Sequence, residues 1–124
     1  MLYAILCYAN EETVFAWSKD EEEAVMSKLI TVQEPYARAG KLGPVARLLP
    51  TTAATTLRKV KGEPVVLDGP FAETKEQFLG FYTVDCADLD EAITFARELS
   101  EVNPSGGSYE IRPISLLNPV AATI

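Results

Sequence analysis

Histidine is missing from all 124 residues of the chain. That removes the commonest general base and the commonest zinc ligand, and it makes any Ser-His or Cys-His nucleophile pair impossible. Cysteine is nearly as scarce. Cys7 and Cys86 stand far apart, each in a run that reads as a strand. Two isolated cysteines in a chain expected in the cytoplasm read as buried free thiols, not as a disulfide or a redox motif. No apolar run approaches the roughly 18 residues of a membrane span, so no membrane partner is expected. The apolar start, Met1 to Asn10, lacks a basic leader and a small-residue cleavage site and reads as a first strand. Basic charge is also in deficit: 11 Lys and Arg face 18 Asp and Glu, for a net charge of −7. A phosphate-binding surface needs clustered cations. Here they are scattered, which argues against direct binding of nucleic acid. There is no glycine-rich phosphate loop, regular acidic loop or paired-cysteine motif, so no metal and no cofactor are expected.

What is present describes one domain over residues 1–124. A chain of this length can bury roughly two thirds of its unfolded surface and needs no metal or disulfide to fold. Leu2 to Ala9 reads as a strand that is apolar on both faces. Ser18 to Ala39 reads as a helix. Ser18 and Glu21 form a capping box, acids crowd the first turn, and Val25, Leu29, Val32 and Tyr36 form an apolar stripe. Pro35 predicts a kink or a restart near its end. Val45 to Leu49 is a second strand. Thr55–Lys61 and Pro64–Asp68 read as a hairpin turning at Gly62–Glu63 and inserted at the periphery. Gly80 to Asp85 is again a strand apolar on both faces. Asp88 and Glu91 suggest a second capping box, before a helix with Leu89, Ala92, Ile93, Ala96 and Leu99 on one stripe. Ser108 to Ile114 is the last strand, and the tail after Pro119 reads as loosely held.

The order is β-α-β, a hairpin, then β-α-β, a ferredoxin-like α+β pattern of the split β-α-β kind with an inserted β-hairpin. Both helices of that fold cover one sheet face, yet two strands here are apolar on both. Pairing the open faces of two sheets resolves the conflict, so the pattern predicts a homodimer, a dimeric α+β barrel.

One loop stands out. Asp68-Gly69-Pro70-Phe71 follows a strand directly. Gly69 and Pro70 make a rigid turn that sets the positions of Asp68 and Phe71. Asp68 reads either as a catalytic or ligand-binding carboxylate or as a turn residue bonded to its own loop. Phe71 reads as core or pocket lining. Glu110 and Arg112 share one strand face, opposite Tyr109 and Ile111. If the latter pair faces the helices, the former faces the dimer cleft, where Arg112 could hold an anion through its fork of donors. Tyr82 and Arg47 are further ligand-binding candidates, with a core phenol and a solvated cation as the plain alternatives.

The run from Asp68 to Gln77 followed by Gly80-Phe81-Tyr82, together with Asp88 to Ala92 and Glu110 to Pro113, resembles the DGPF group of YCII-related proteins over nearly the whole chain. The resemblance implies the same ferredoxin-like fold and dimeric barrel, with a cleft beside the sheet for a small molecule. It also implies a link to extracytoplasmic-function sigma-factor pathways. More distant YCII-related proteins look like lyases of small aromatic compounds with a proposed histidine-aspartate pair; without histidine, that mechanism does not transfer. Three functions stay open: a cytoplasmic small-molecule-binding or accessory protein, a cofactor-free lyase or isomerase working in the dimer cleft, and an interaction domain that docks through its hairpin.

Overall fold

A computed structural model describes residues 1–59 and 61–118. The tail beyond Pro119 lies outside the described residues, as does Val60 of the hairpin. The elements run β1 (Leu2–Ala9), α1 (Glu11–Phe15), α2 (Lys19–Arg38), β2 (Leu42–Arg47), β3 (Thr55–Arg58), β4 (Val65–Asp68), β5 (Gln77–Asp85), α3 (Leu89–Val102) and β6 (Ser108–Pro113). β2, β5, β1 and β6 lie side by side in that order in one antiparallel sheet, while β3 and β4 form a separate two-stranded ribbon. The two central strands are β1 and β5, the two with apolar residues on both faces. This is the ferredoxin-like α+β arrangement that the element order implied.

Strand alternation divides the sheet into two faces. Tyr3 and Ile5 of β1 and Val84 of β5 are buried under Val25 and Leu29 of α2 and Ala92, Phe95, Ala96 and Leu99 of α3. Cys7, Tyr82, Tyr109 and Ile111 pack at the edge of the same core. The opposite face carries Leu2, Ala4, Leu6 and Tyr8 of β1 and Phe81 of β5, all half-buried. The stripe read for α3 is displaced by part of a turn. Leu89 is exposed, and the centre of the core is Phe95, which has no exposed surface. Leu89 is the first residue of the helix, while Ala92 in the same turn is fully buried.

α2 starts where its capping box predicts. The Ser18 hydroxyl accepts from the Glu21 N–H (3.1 Å), and the Glu21 carboxylate accepts from the Ser18 N–H (3.2 Å). Ser18→Ala should cost about 1 kcal/mol of stability, read as a lowered urea midpoint with an unchanged slope. No restart occurs at Pro35: the helix continues to Arg38. Tyr36 holds its last turn against α3: its ring lies 4.4 Å from that of Phe95, and its hydroxyl donates to Glu98 (3.1 Å). The second capping box forms only in half. Asp88 accepts from the Glu91 N–H (2.9 Å), but Glu91 turns to the Ala87 N–H and to the Lys41 ammonium (3.2 Å).

β2 begins three residues earlier than expected and ends at Arg47. It is an edge strand, so Pro44 is tolerated inside it; its carbonyl accepts from the Thr83 hydroxyl (2.8 Å). β5 begins three residues earlier as well, at Gln77. Its register with β1 shifts between Cys7 and Tyr8, so that Cys7 faces Gly80 and Tyr8 faces Phe78. The short helix α1 is absent from the sequence reading. Asn10 caps it by accepting from the Thr13 N–H (3.2 Å), and Val14 enters the core.

Candidate functional site

The helix-facing side of the sheet is not filled at the β2 end. A cavity of about 230 Å³ lies there, between α1 and α2 and the floor formed by β1, β5 and β2. Gly80 stands in the floor between Cys7 on β1 and Arg47 on β2. A Cβ there would collide with the Ala46 carbonyl oxygen, so only glycine lets β5 and β2 approach this closely. A glycine inside a strand marks such close backbone approach. A wider trough of about 390 Å³ runs between α3 and β6, along Ile93, Arg97 and Ile111. It lies open on the surface and gathers fewer polar groups than the enclosed cavity.

Apolar side chains from α1, the bend after it and α2 make the wall: Val14, Trp17, Met26 and Leu29. Gln33 of α2 and Asn103 and Ser105 of the loop after α3 add polar groups to those of the sheet. Tyr82 stands edge-on to Phe95, with ring centroids 5.8 Å apart and planes at 88°, so the buried core phenylalanine sets the angle of a cavity tyrosine. Burial pushes its phenol well above the ordinary tyrosine value. Tyr109 enters from β6 beside Asn103, and burial raises its phenol to about 12. Burial likewise raises the Cys7 thiol to about 12. All three therefore stay protonated near neutrality: they offer weakly polar walls and hydrogen-bond donors, not a base or a thiolate.

Arg47 is the cation of the site. Its Nη1 donates to Glu22 on α2 (2.7 Å), and its guanidinium lies 5.7 Å from the centre of the Phe15 ring on α1. An ion pair this exposed contributes little stability; its effect is positional. It ties the β2 edge to both helices and leaves further guanidinium donors at the rim.

The candidates read from sequence are thus split among three places. Tyr82 and Arg47 come together in the cavity. Glu110 and Arg112 lie on the opposite sheet face, since Tyr109 and Ile111 do face the helices; there Glu110 accepts from the Tyr8 hydroxyl (3.3 Å). Asp68 ends β4, exposed and paired with Thr55 across the ribbon. Gly69 makes the turn that follows with φ +97°, which a side chain disfavours. The expectation that Phe71 belongs to a core or a pocket fails in the monomer, where its ring is 76% exposed. The ribbon carries it outward, and its carbonyl accepts from Arg58 (3.1 Å). Sequence reading missed Cys7, Trp17, Met26 and Tyr109 as neighbours of Tyr82. Both cysteines are free, as expected. Among the described residues no group of His, Cys, Asp and Glu is placed to hold a metal, and no helix is long and apolar enough to cross a membrane.

An uncharacterised protein of Rhizobium meliloti (strain 1021) is 66% identical over 119 residues, which cover 96% of each chain. The family model of the YCII-related domain matches residues 1–118. The chain is therefore a member of the YCII-related family, whose function is uncharacterised.

Proposed function

We propose that this chain is a cytoplasmic small-molecule-binding protein whose site is the cavity between α1, α2 and the sheet. The observation that carries this reading is the state of the cavity's ionisable groups. Cys7, Tyr82 and Tyr109 are protonated near neutrality at their ordinary values and burial raises them further, while Arg47 is the charged side chain of the lining among the described residues. Such a wall recognises a ligand; it has no group poised near neutral pH to move a proton, which acid–base catalysis requires. For this reason binding is favoured over the alternative of a cofactor-free lyase or isomerase. The volume suits a ligand of one or two rings, since a dry cavity of about 150 Å³ already admits benzene. Phenol donors and the arginine at the rim favour a carbonyl or carboxylate on that ring.

The working unit in this proposal is a homodimer. Leu2, Ala4, Leu6 and Phe81 form an apolar strip on the face away from the helices, and a second sheet would cover it. The DGPF resemblance of the run from Asp68 to Gln77 adds the expectation of an accessory role in an extracytoplasmic-function sigma-factor pathway, with cavity occupancy as its input.

A thermal-shift screen against small aromatic acids and lactones tests the site. A ligand at a hundred times its Kd stabilises by about 2.7 kcal/mol, a rise of several degrees. Tyr82→Phe keeps the ring and removes the donor, so it should lose most of the rise, while Asp68→Ala should respond like wild type. The reverse pattern would move the site to the Asp68 turn.

A further inference from the structure

Strand register puts four residues in one line across the sheet: Arg47 on β2 pairs with Gly80 on β5, Gly80 with Cys7 on β1, and Cys7 with Tyr109 on β6. All four line the cavity. The line crosses the strands at right angles, and spacings of about 4.8 Å set its end backbones about 14 Å apart. Its middle positions are its smallest residues, a glycine and a cysteine. Its ends are its two long polar side chains.

The middle of the line offers a ligand no strong hydrogen bond. The Cys7 thiol is turned to the Ile5 carbonyl of its own strand (3.7 Å), and Val14, Met26 and Leu29 face it from the helices. Gln33 on α2 can donate or accept, so it selects neither.

Both ends donate. At the β2 end, the bonds of Arg47 to Glu22 (2.7 Å) and to the Met26 sulfur (3.7 Å) both use Nη1. Among the described residues Nη2 and Nε have no partner, and a guanidinium with five N–H groups can hold Glu22 and a second carboxylate together. At the β6 end, the Asn103 Oδ1 already accepts from the Ser105 N–H (3.0 Å) and hydroxyl (2.7 Å). That leaves the Asn103 amide nitrogen, a donor, beside the Tyr109 hydroxyl. The ends differ in charge: a cation on β2, neutral donors at β6.

The volume fits one ring with a group at each end. A dry cavity of about 150 Å³ admits benzene, which leaves about 80 Å³ here for substituents. At about 30 Å³ for each water-sized group, that is room for two or three.

We propose that the cavity takes a para-oxygenated aromatic carboxylic acid laid across the strands, its carboxylate on Arg47 and its opposite hydroxyl or carbonyl oxygen on Tyr109 and Asn103. This rests on the binding reading given above and adds the ligand's two ends and its direction. Only a 1,4 arrangement follows the line; an oxygen at the 3-position leaves it.

Isothermal titration calorimetry with 4-hydroxybenzoate and its longer homologue 4-hydroxyphenylacetate tests this, the tighter of the two serving as reference. The parent acid without the hydroxyl and the 3-hydroxy isomer should each bind about tenfold more weakly, the worth of one hydrogen bond. Tyr109→Phe keeps the ring, and it should weaken the reference acid about tenfold while leaving the parent acid unchanged. Arg47→Met should weaken both acids at least tenfold. Far-UV circular dichroism checks that both variants are folded. Equal affinity for reference and parent acid, or a Tyr109→Phe protein that weakens both alike, overturns the two-ended ligand and leaves a cavity that holds its ligand by one end. If neither hydroxy acid binds wild type while another compound of the thermal-shift screen binds and loses its effect in Tyr82→Phe, the ligand class is overturned and the cavity reading stands. If nothing in either set binds, both fall.

Discussion

Phe95→Ala is expected to lower the stability of the protein by about 3–5 kcal/mol, the usual range for a fully buried phenylalanine. The side chain has no exposed surface, and it touches both the anchor of α2, Tyr36, and the cavity phenol, Tyr82. Its removal takes away two aromatic contacts as well as buried area. A domain of this size has about 5–15 kcal/mol in all, so the loss is a large fraction of the total. At about 4 °C per kcal/mol the melting temperature should fall by roughly 12–20 °C. Phe95→Leu keeps most of the volume and should cost less, yet it still removes the edge-on ring that orients Tyr82. It therefore separates stability from ligand response: a folded Phe95→Leu protein with a weakened thermal shift supports the cavity as the site. If Phe95→Leu binds like wild type, the orientation of Tyr82 does not matter to the ligand.

The second large effect is alkaline destabilisation. Burial raises Cys7 to about 12 from 9.0 and Tyr109 to about 12 from 10.0. Cys86 rises to about 11 from 9.0, first through burial and then through Glu91, and Tyr82 rises through burial. Below pH 9 these groups are protonated in the folded and the unfolded chain alike, and stability does not depend on them. Above pH 9 the unfolded chain gives up its thiol protons, while the folded chain keeps them. The unfolded state then binds fewer protons, so stability falls as pH rises. The slope is at most about 1.4 kcal/mol per pH unit for each group. Above pH 10 the tyrosines join. The urea midpoint should therefore be flat with respect to these groups up to pH 9 and fall steeply toward pH 11. In Cys7→Ala/Cys86→Ala the onset should move to about pH 10. An onset unchanged in that double variant would show that the thiols are not what titrates.

Local chemistry left most of the fold readable along the chain. Ser18 with Glu21 and Asp88 before Glu91 announce two helix starts, because capping is a matter of residues three apart. Apolar runs without strict alternation at Leu2–Ala9 and Gly80–Asp85 announce central strands. The misreadings are of a different kind. The N-cap signal of Asn10 was present, but five residues of helix make too little periodicity to be recognised, and α1 is held by Val14 entering the core. Pro35 ended nothing: α2 runs on to Arg38, with Tyr36 packed against Phe95 of α3. Leu89 and Phe95 both fit a helical stripe, and only packing against the sheet and α2 made Phe95 the buried one.

The candidate site was less legible still. Asp68 and Phe71 stand out in sequence because their turn chemistry is local and unusual, yet they ride on a ribbon that projects from the body. Tyr82 and Arg47 look ordinary in sequence, and they come together only through the pairing of β5 with β2. By itself, then, the sequence determined the element order, the helix starts, the two buried strands and the exclusion of histidine chemistry, all of which depend on residue type and short spacing. Only the tertiary structure decided which side chains share a cavity and which phenols and thiols are raised by burial. Those properties depend on long-range register and burial, and no spacing along one strand or one helix encodes them.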